Sequence, residues 1–401
     1  MLDYIKFKNY RVFRNEQELK LRPITIVFGK NNSGKSAVLK LPILIDNMLN
    51  NNSSEVIPDI SGDNPIVYTE LRDIVYGKAT KAVELGVAED GATSLNWSFF
   101  VDTMQKPNSR IEKLAMSMNG EKHSLQLDTD TIYQIDDTMD TMEIGFKGLI
   151  PQNMPFTKSY STTLNKLKFS TDYIGAIRVL PQIDMRQQVT PIGKSGVSGQ
   201  FAYQKLIADE NMSGSLMEKV SGWYEDNFAG WRLWVDKSRR PVIHIEMIKD
   251  GLKTNISETG MGIIQSLPIV VRACEPCDSP TLIIIEEPET HLHSAAHASL
   301  GELIALSTKT DSNKRYLIET HSKNLILRLR RLIANKQLSV DDVALYYVEF
   351  NEQTNSSSLR KISILDDGSV DYWPKQMFDE SLQEAIAIRT IQIRNSHDSR
   401  D

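Results

Sequence analysis

Residues 29–36 read Gly-Lys-Asn-Asn-Ser-Gly-Lys-Ser, a full match to the spacing GxxxxGK[ST]. Elementary chemistry explains the spelling. Glycines let the backbone turn so that successive N–H groups point inward and cradle an anion. A helix that begins where the loop ends presents its unpaired N–H groups to the same anion. In that geometry Lys35 reaches the β- and γ-phosphates of a nucleotide, and the Ser36 hydroxyl ligates Mg²⁺. Gly29, Asn31, Asn32, Ser33, Gly34, Lys35, Ser36 and Ala37 are the expected nucleotide contacts.

Three further segments carry groups that such a loop would need. Thr281–Glu287 reads TLIIIEE, an apolar strand that ends in two acids. Beside a bound nucleotide the first acid, Glu286, falls on the metal side. The second, Glu287, is placed to accept a proton from an attacking water. Ser257–Gln265 reads SETGMGIIQ, with Gly260 and Gly262 at the start of a helix. That is a second helix terminus suited to an anion, one more than a single nucleotide requires of one chain. Thr320-His321-Ser322 follows the apolar run Tyr316–Glu319 and puts an imidazole at a strand end.

These residues need a frame, and the apolar patterning predicts one. Strands are expected at Tyr4–Asn9 and at Ile24–Phe28, the second running straight into the loop, with helical spacing over Ser36–Leu49. From about 65 to 148 the chain alternates, as in Ala82–Ala88 and Ser94–Val101, with turn signals at 89–91 and 119–120. This predicts an antiparallel β subdomain. The stretch 152–234 is mixed, and its clearest helix is Leu216–Phe228. A hairpin strand at Val242–Ile248, a helix at Gly262–Ala273, strands at Thr281–Ile285 and Tyr316–Glu319, and a helix at Lys323–Ala334 follow. Strands alternating with helices predict a partly parallel α/β sheet. The tail, 353–401, reads as a small hairpin and a final helix. The divisions expected are 1–110 (N-terminal part of the head with the β subdomain), 111–240 (insert, β then mainly helical), 241–350 (C-terminal part of the head) and 351–401.

Bulk properties narrow the class. The chain has 401 residues and a formal net charge of −6, so a generally basic nucleic-acid binder is not indicated. No apolar run is long enough to span a bilayer, and the first residues do not resemble a signal peptide; a cytoplasmic protein with no membrane partner is expected. Cys274 and Cys277 form a single CxxC, short of the four ligands of a structural zinc site. They read as ordinary thiols. No heptad pattern is sustained.

The order strand, phosphate loop, long insert, glycine turn, acidic strand and histidine resembles the ABC-type ATPases of the SMC, RecF and OLD group, in particular bacterial AAA-family ATPases related to OLD proteins. The opening IKFKNYRVFRNEQELKLRPITIVFGKNNSGKS, the segment EEPETHLHSAAHASL, the later IETHS and the tail DDGSVDYWPKQMFDESL carry the resemblance. It is strong over about 1–80, 170–182 and 240–401. It implies an α/β P-loop NTPase of ABC-type head architecture, with an antiparallel β subdomain and a helical insert. It implies ATP and Mg²⁺, and a head-to-tail homodimer or higher oligomer. Thr259, Gly260 and Gly262 of one copy would close over the γ-phosphate held by the other. Lys35, Glu287 and His321 would form the catalytic set, with His321 as a switch histidine. Asp73, in Leu71–Val75, would sense Mg²⁺ or the attacking water. His291, His293 and His297 would shape the dimer interface rather than bind zinc. Departures are Glu286 for the usual Asp, Thr259 for the usual signature Ser, and Ser294 where relatives often have Pro.

The missing heptads set the chain apart from SMC proteins with long coiled coils. The 80 residues after His321 hold no convincing acidic cluster of the Toprim nuclease kind; Asp341-Asp342 and Asp366-Asp367 read as a cap and a turn. The resemblance implies a regulatory or sensor ATPase, in a prokaryotic anti-phage system, paired with a separate effector such as a nuclease. The alternative is a RecF-like, ATP-dependent DNA clamp, to which Arg239, Arg240, Arg328, Arg330 and Arg331 would contribute.

Overall fold

The computed structural model describes residues 2–398 apart from 51–52, 58–64, 66, 90–92, 103–107, 119, 168, 187–192, 213, 239–240 and 375–379. β1 (Tyr4–Lys8), β2 (Gln17–Lys20) and β3 (Ile24–Gly29) precede the glycine-rich loop, and α1 (Lys35–Leu49) follows it. Next come β4 (Lys81–Glu89), β5 (Thr93–Asp102), β6 (Asn108–Met118), β7 (Glu121–Thr129), β8 (Ile132–Ile135) and β9 (Thr141–Glu143). A short ladder of β10 (Phe146–Lys147) with β11 (Ile150–Pro151), then α2 (Thr157–Leu167), leads to β12 (Ser170–Ile174). α3 (Ala202–Asn211), α4 (Leu216–Asn227) and a small sheet of β13 (Arg232–Asp236), β14 (His244–Lys249) and β15 (Leu252–Asn255) follow. The remainder supplies α5 (Met261–Cys274), β16 (Thr281–Glu286), α6 (Ser294–Thr310), β17 (Lys314–Glu319), α7 (Lys323–Ala334), β18 (Val343–Asn351), β19 (Ser356–Ile362) and α8 (Glu380–Asp398).

Two kinds of apolar pattern make two kinds of sheet. β5 alternates, turning Leu95, Trp97, Phe99 and Val101 inward, and it belongs to an antiparallel sheet of order β2-β1-β4-β5-β6-β7-β8-β9. β3 is buried along its whole length and β16 nearly so. They lie in a six-stranded sheet of order β12-β16-β17-β3-β18-β19, parallel except for β19. Strands covered on both faces read as unbroken apolar runs. Val27, Leu282, Ile284 and Leu317 enter a core shared with α1 and the antiparallel sheet. Ile26, Ile283, Ile285 and Ile318 enter a second core with α3 to α7. α1 is thereby held between the two sheets, which sets the direction of its N-terminus.

The fold class is the expected one, a P-loop α/β head with an antiparallel β subdomain and a helical insert. The divisions within it need correcting. The boundary at 110 cuts through β6, and the boundary at 240 separates β13 from its antiparallel partner β14. β12, assigned to the 111–240 insert, pairs in parallel with β16 in the central sheet. Periodicity shows that a strand exists but not which strand it will pair with.

Candidate nucleotide site

β16, β17 and β3 are consecutive in the central sheet, so their C-terminal ends lie side by side. The loop after β3 turns at Gly34, whose φ is 103°, and a Cβ there would meet the Val12 side chain at 2.5 Å. Only glycine satisfies both the left-handed backbone and that contact. α1 then begins at Lys35 and borders a cleft of about 450 Å³. Asn31, Asn32, Gly34, Lys35, Ser36 and Ala37 furnish its loop side, and the strand ends bring Glu287, Glu319 and His321. Gly29 and Ser33 are buried and are not part of its lining. The Ser33 hydroxyl has no hydrogen-bond partner among the described residues.

The Lys35 ammonium donates to the Lys30 carbonyl at 3.0 Å and lies 3.5 Å from a carboxylate oxygen of Glu319. Ser36 donates to the other Glu319 oxygen at 3.0 Å. The acid that meets the loop is therefore Glu319, to which sequence reading assigned no role. Glu286, expected on the metal side, pairs with Glu319 in the strand register and lies close to the Tyr173 hydroxyl. One Glu286 oxygen is buried with no hydrogen-bond partner among the described residues. Burial, and then the neighbouring Glu319 charge, push the Glu286 carboxyl above the usual range. Burial raises Glu319 as well, with Lys35 opposing. Several carboxylates and a hydroxyl, one oxygen of them unsatisfied, form the hard-oxygen donor set that suits Mg²⁺.

Glu287 has a left-handed backbone, φ 43°, and its N–H donates to the Glu319 carbonyl at 2.9 Å. Its carboxylate accepts a bond from Thr290 Oγ1 at 3.1 Å and lies 4.0 Å from His321 Nε2. Burial, then the Lys35 charge, hold the His321 imidazole below its ordinary pKa, so it is neutral at pH 7. Glu289, buried beneath this turn, accepts from the His321 N–H and from Thr320 Oγ1 at 2.8 Å, fixing the His321 backbone.

Other expected residues lie elsewhere. Asp73 is not among the cleft-lining residues; its carboxylate is 2.8 Å from Lys78 Nζ and accepts the Glu70 N–H at 2.9 Å. The short turn it belongs to uses the charge for its own cap. Thr259, Gly260 and Gly262 are also outside the cleft of their own chain. Thr259 Oγ1 donates to the Ile256 carbonyl at 2.7 Å. A Cβ on Gly262 would approach the His291 carbonyl to 3.0 Å, so the turn after β16 packs on the start of α5. Gly260 is exposed, with open space where a Cβ would stand. His297 bonds Ser322 Oγ at 2.9 Å and the Leu292 carbonyl at 3.0 Å, and His293 caps α6, which leaves no shared zinc geometry with His291. Of the arginines offered to DNA, Arg328 pairs with Glu302 and Arg330 donates to the Gly368 carbonyl at 2.7 Å. Arg239 and Arg240 lie outside the described residues.

Glu319 had a visible sign, a charge closing an apolar run just before Thr-His-Ser. Tyr173 had none, because its contact with Glu286 comes from the pairing of β12 with β16.

Known families match the same two halves of the site. Residues 1–173 match an AAA ATPase domain. Residues 185–328 match an AAA domain model whose description names the AbiEii toxin and type IV toxin–antitoxin systems. Over these two stretches the chain is similar to AAA-type ATPase domains. The first stretch holds the glycine loop; the second holds the acidic strand and the histidine. Residues 338–386 match DUF3696, a family of proteins of unknown function. No curated protein matches this chain significantly. Among solved structures it is similar to an SmcHead bound to the C-winged helix domain of ScpA, with TM-score 0.47, 11% identity, and 90% of this chain and 98% of that one covered. It is similar also to the SMC head domain from Thermotoga maritima (0.40, 12%, 90% and 98%). A third is the Smc head domain with an extended coiled coil bound to the C-terminal domain of ScpA derived from Pyrococcus furiosus (0.41, 11%, 97% and 99%). Among the described residues no helix is long and apolar enough to cross a membrane.

Proposed function

We propose that the chain hydrolyses ATP at composite sites formed between two copies arranged head to tail. The observation that carries this reading is the split among the motif residues. Lys35, Ser36, Glu287 and His321 are held around one cleft, whereas Gly260 stands exposed at a helix terminus beside open space.

In this reading Lys35 gives up Glu319 and takes the β- and γ-phosphates. Ser36 turns its hydroxyl from Glu319 toward the metal, and Glu319 and Glu286 are the acids that would hold it. Mg²⁺, when bound, supplies positive charge that neutralises the phosphates. Glu287 accepts the proton of the attacking water. His321 donates to a γ-phosphate oxygen from the far side of the cleft. Thr259, Gly260 and Gly262 of the second copy bring the α5 N-terminus to the same phosphate. Loss of the γ-phosphate removes the group that both copies hold, and the pair reopens.

The test is Glu287→Gln. Turnover is expected to fall about 100-fold or more, while ATP drives the variant into a stable dimer on size exclusion. A variant that turns over at the wild-type rate, or stays monomeric with saturating ATP, would overturn the reading.

Beyond the ATPase we read a regulatory or sensor subunit of a prokaryotic defence system, acting with a separate effector such as a nuclease. The AbiEii description over 185–328 supports this reading. Affinity capture of tagged protein from its native cells with ATP is expected to retain one stoichiometric effector. ATP-dependent, salt-sensitive binding to DNA without such a partner would favour the clamp instead.

A further inference from the structure

One buried cation outside the cleft is tied to both halves of the composite site. Arg178 lies in the segment after β12 and is 2% exposed. Its Nη2 donates to the carbonyl oxygens of Glu286 at 2.7 Å and Glu287 at 3.0 Å. Its Nη1 donates to the Gln265 carbonyl at 3.2 Å. The Gln265 amide closes the link from the other side. Its Oε1 accepts the Arg178 N–H at 3.3 Å, and its Nε2 donates to the Arg178 carbonyl at 3.1 Å. Gln265 is itself buried, and it sits in the second turn of α5, the helix that starts at Gly260. Burial lowers the guanidinium pKa to about 10, which leaves it charged at neutral pH.

The two carbonyls are not ordinary ones. Glu287 is a non-glycine residue at positive φ, a strained backbone state that persists only where the surroundings over-determine it. The Glu287 N–H is taken by Glu319 and its carbonyl also receives the Thr290 N–H at 3.2 Å. Arg178 supplies the charged member of this set, and charge-assisted hydrogen bonds are the strong ones. A guanidinium has the planar fork needed to hold two successive carbonyls and a third on another element, which a lysine ammonium on a flexible stem does not.

We propose that Arg178 is a positioning residue that holds the backbone of Glu287 in its hydrolytic orientation and couples it, through Gln265, to α5. A second copy closing on the α5 N-terminus moves the helix that Gln265 belongs to. Arg178 carries that movement to the two carbonyls at the end of β16. Hydrolysis then follows closure, and ATP binding at Lys35 does not depend on the link. The inference rests on Glu287 as the base and on closure over α5.

The experiment measures steady-state ATPase with full-length Arg178→Gln, Arg178→Lys and Gln265→Ala, alone and combined with Glu287→Gln. Each single variant is expected to lower kcat at least tenfold with KM for ATP within about twofold of wild type. Arg178→Lys is expected to fail to rescue. Combining Arg178→Gln with Glu287→Gln is expected to slow turnover no further than Glu287→Gln alone, because the first acts through the second. Unchanged kcat in the variants, or losses that multiply in the combination, would overturn the inference. Gln265→Ala removes only the amide link and keeps the test decisive if the Arg178 variants fail to fold. The base assignment is checked separately. If Glu287→Gln alone leaves kcat intact, that assignment fails. If Glu287→Gln is slow and Gln265→Ala is not, only the coupling fails.

Discussion

The loop at Gly29–Ser36 and the turn at Ser257–Gly262 are both glycine-rich starts of long helices, yet the protein surrounds them in opposite ways. At the first, Lys35 is 4% exposed and already ion-paired, and acids and an imidazole from neighbouring strand ends face it. At the second, Gly260 has open space beside it and Met261 is 41% exposed. Both termini present unpaired N–H groups, but only one is furnished by its own chain. A helix start left bare in this way is what the proposed composite site would require of its second half. The contrast teaches that local spelling marks anion chemistry, while the surroundings say whether one chain completes it.

The largest expected effect attacks the furnished terminus. Lys35→Ala should weaken ATP binding about 100-fold or more, because a desolvated charge-assisted contact to phosphate is lost. Tight ATP binding by this variant in calorimetry would erase the distinction between the two helix starts. An intermediate effect is expected at the bare one. Gly260→Glu meets nothing in its own protomer, so folding and ATP affinity should hold. Its charge would oppose a partner's phosphates, and like charges brought together at an interface cost several kcal/mol, so turnover and ATP-dependent dimerisation should fall about tenfold or more. Normal turnover would reduce the turn to a helix cap.

The smallest effect concerns the apo cleft and its pH dependence. Burial raises the folded-state pKa of Glu319. The native state then holds that proton more tightly than the unfolded chain, and stability is lost as pH rises through the folded pKa. Glu319→Gln removes the charge that causes the loss. The variant should melt higher than wild type at pH 8, and the gap should close as pH falls toward 5. A lower melting temperature at pH 8 would mean that the Lys35 and Ser36 contacts outweigh the burial, and that Glu319 is a structural clamp.

Much of the frame was legible beforehand. Lys323–Ala334 was read with its observed ends, because its apolar stripe and Ser322 cap are local. β3 and β16 were read within a residue, because unbroken apolar runs beside glycine or acids are distinctive. The division points at 110 and 240 were not legible, since each falls within a set of paired strands and pairing is non-local. In the site, the motifs singled out Lys35, Ser36, Glu287 and His321, and all four line one cleft. Asp73 was not, because nothing in Leu-Arg-Asp-Ile-Val shows that the turn will spend its carboxylate on Lys78 and Glu70.

Eight consecutive residues were enough to specify phosphate chemistry at Gly29–Ser36, because the cradle is backbone and its geometry depends on nearest neighbours along the chain. Which acid faces Ser36 was a different matter. Glu286 and Glu319 both close apolar strands, and either spelling fits a metal-side carboxylate. The order β16-β17-β3 decided between them, since β17 is the strand beside β3 and therefore carries Glu319 to the loop. Strand order is set by packing across the whole sheet. The same holds for Arg178, whose partners lie about 90 and 110 residues further along the chain and meet it only in the folded protein.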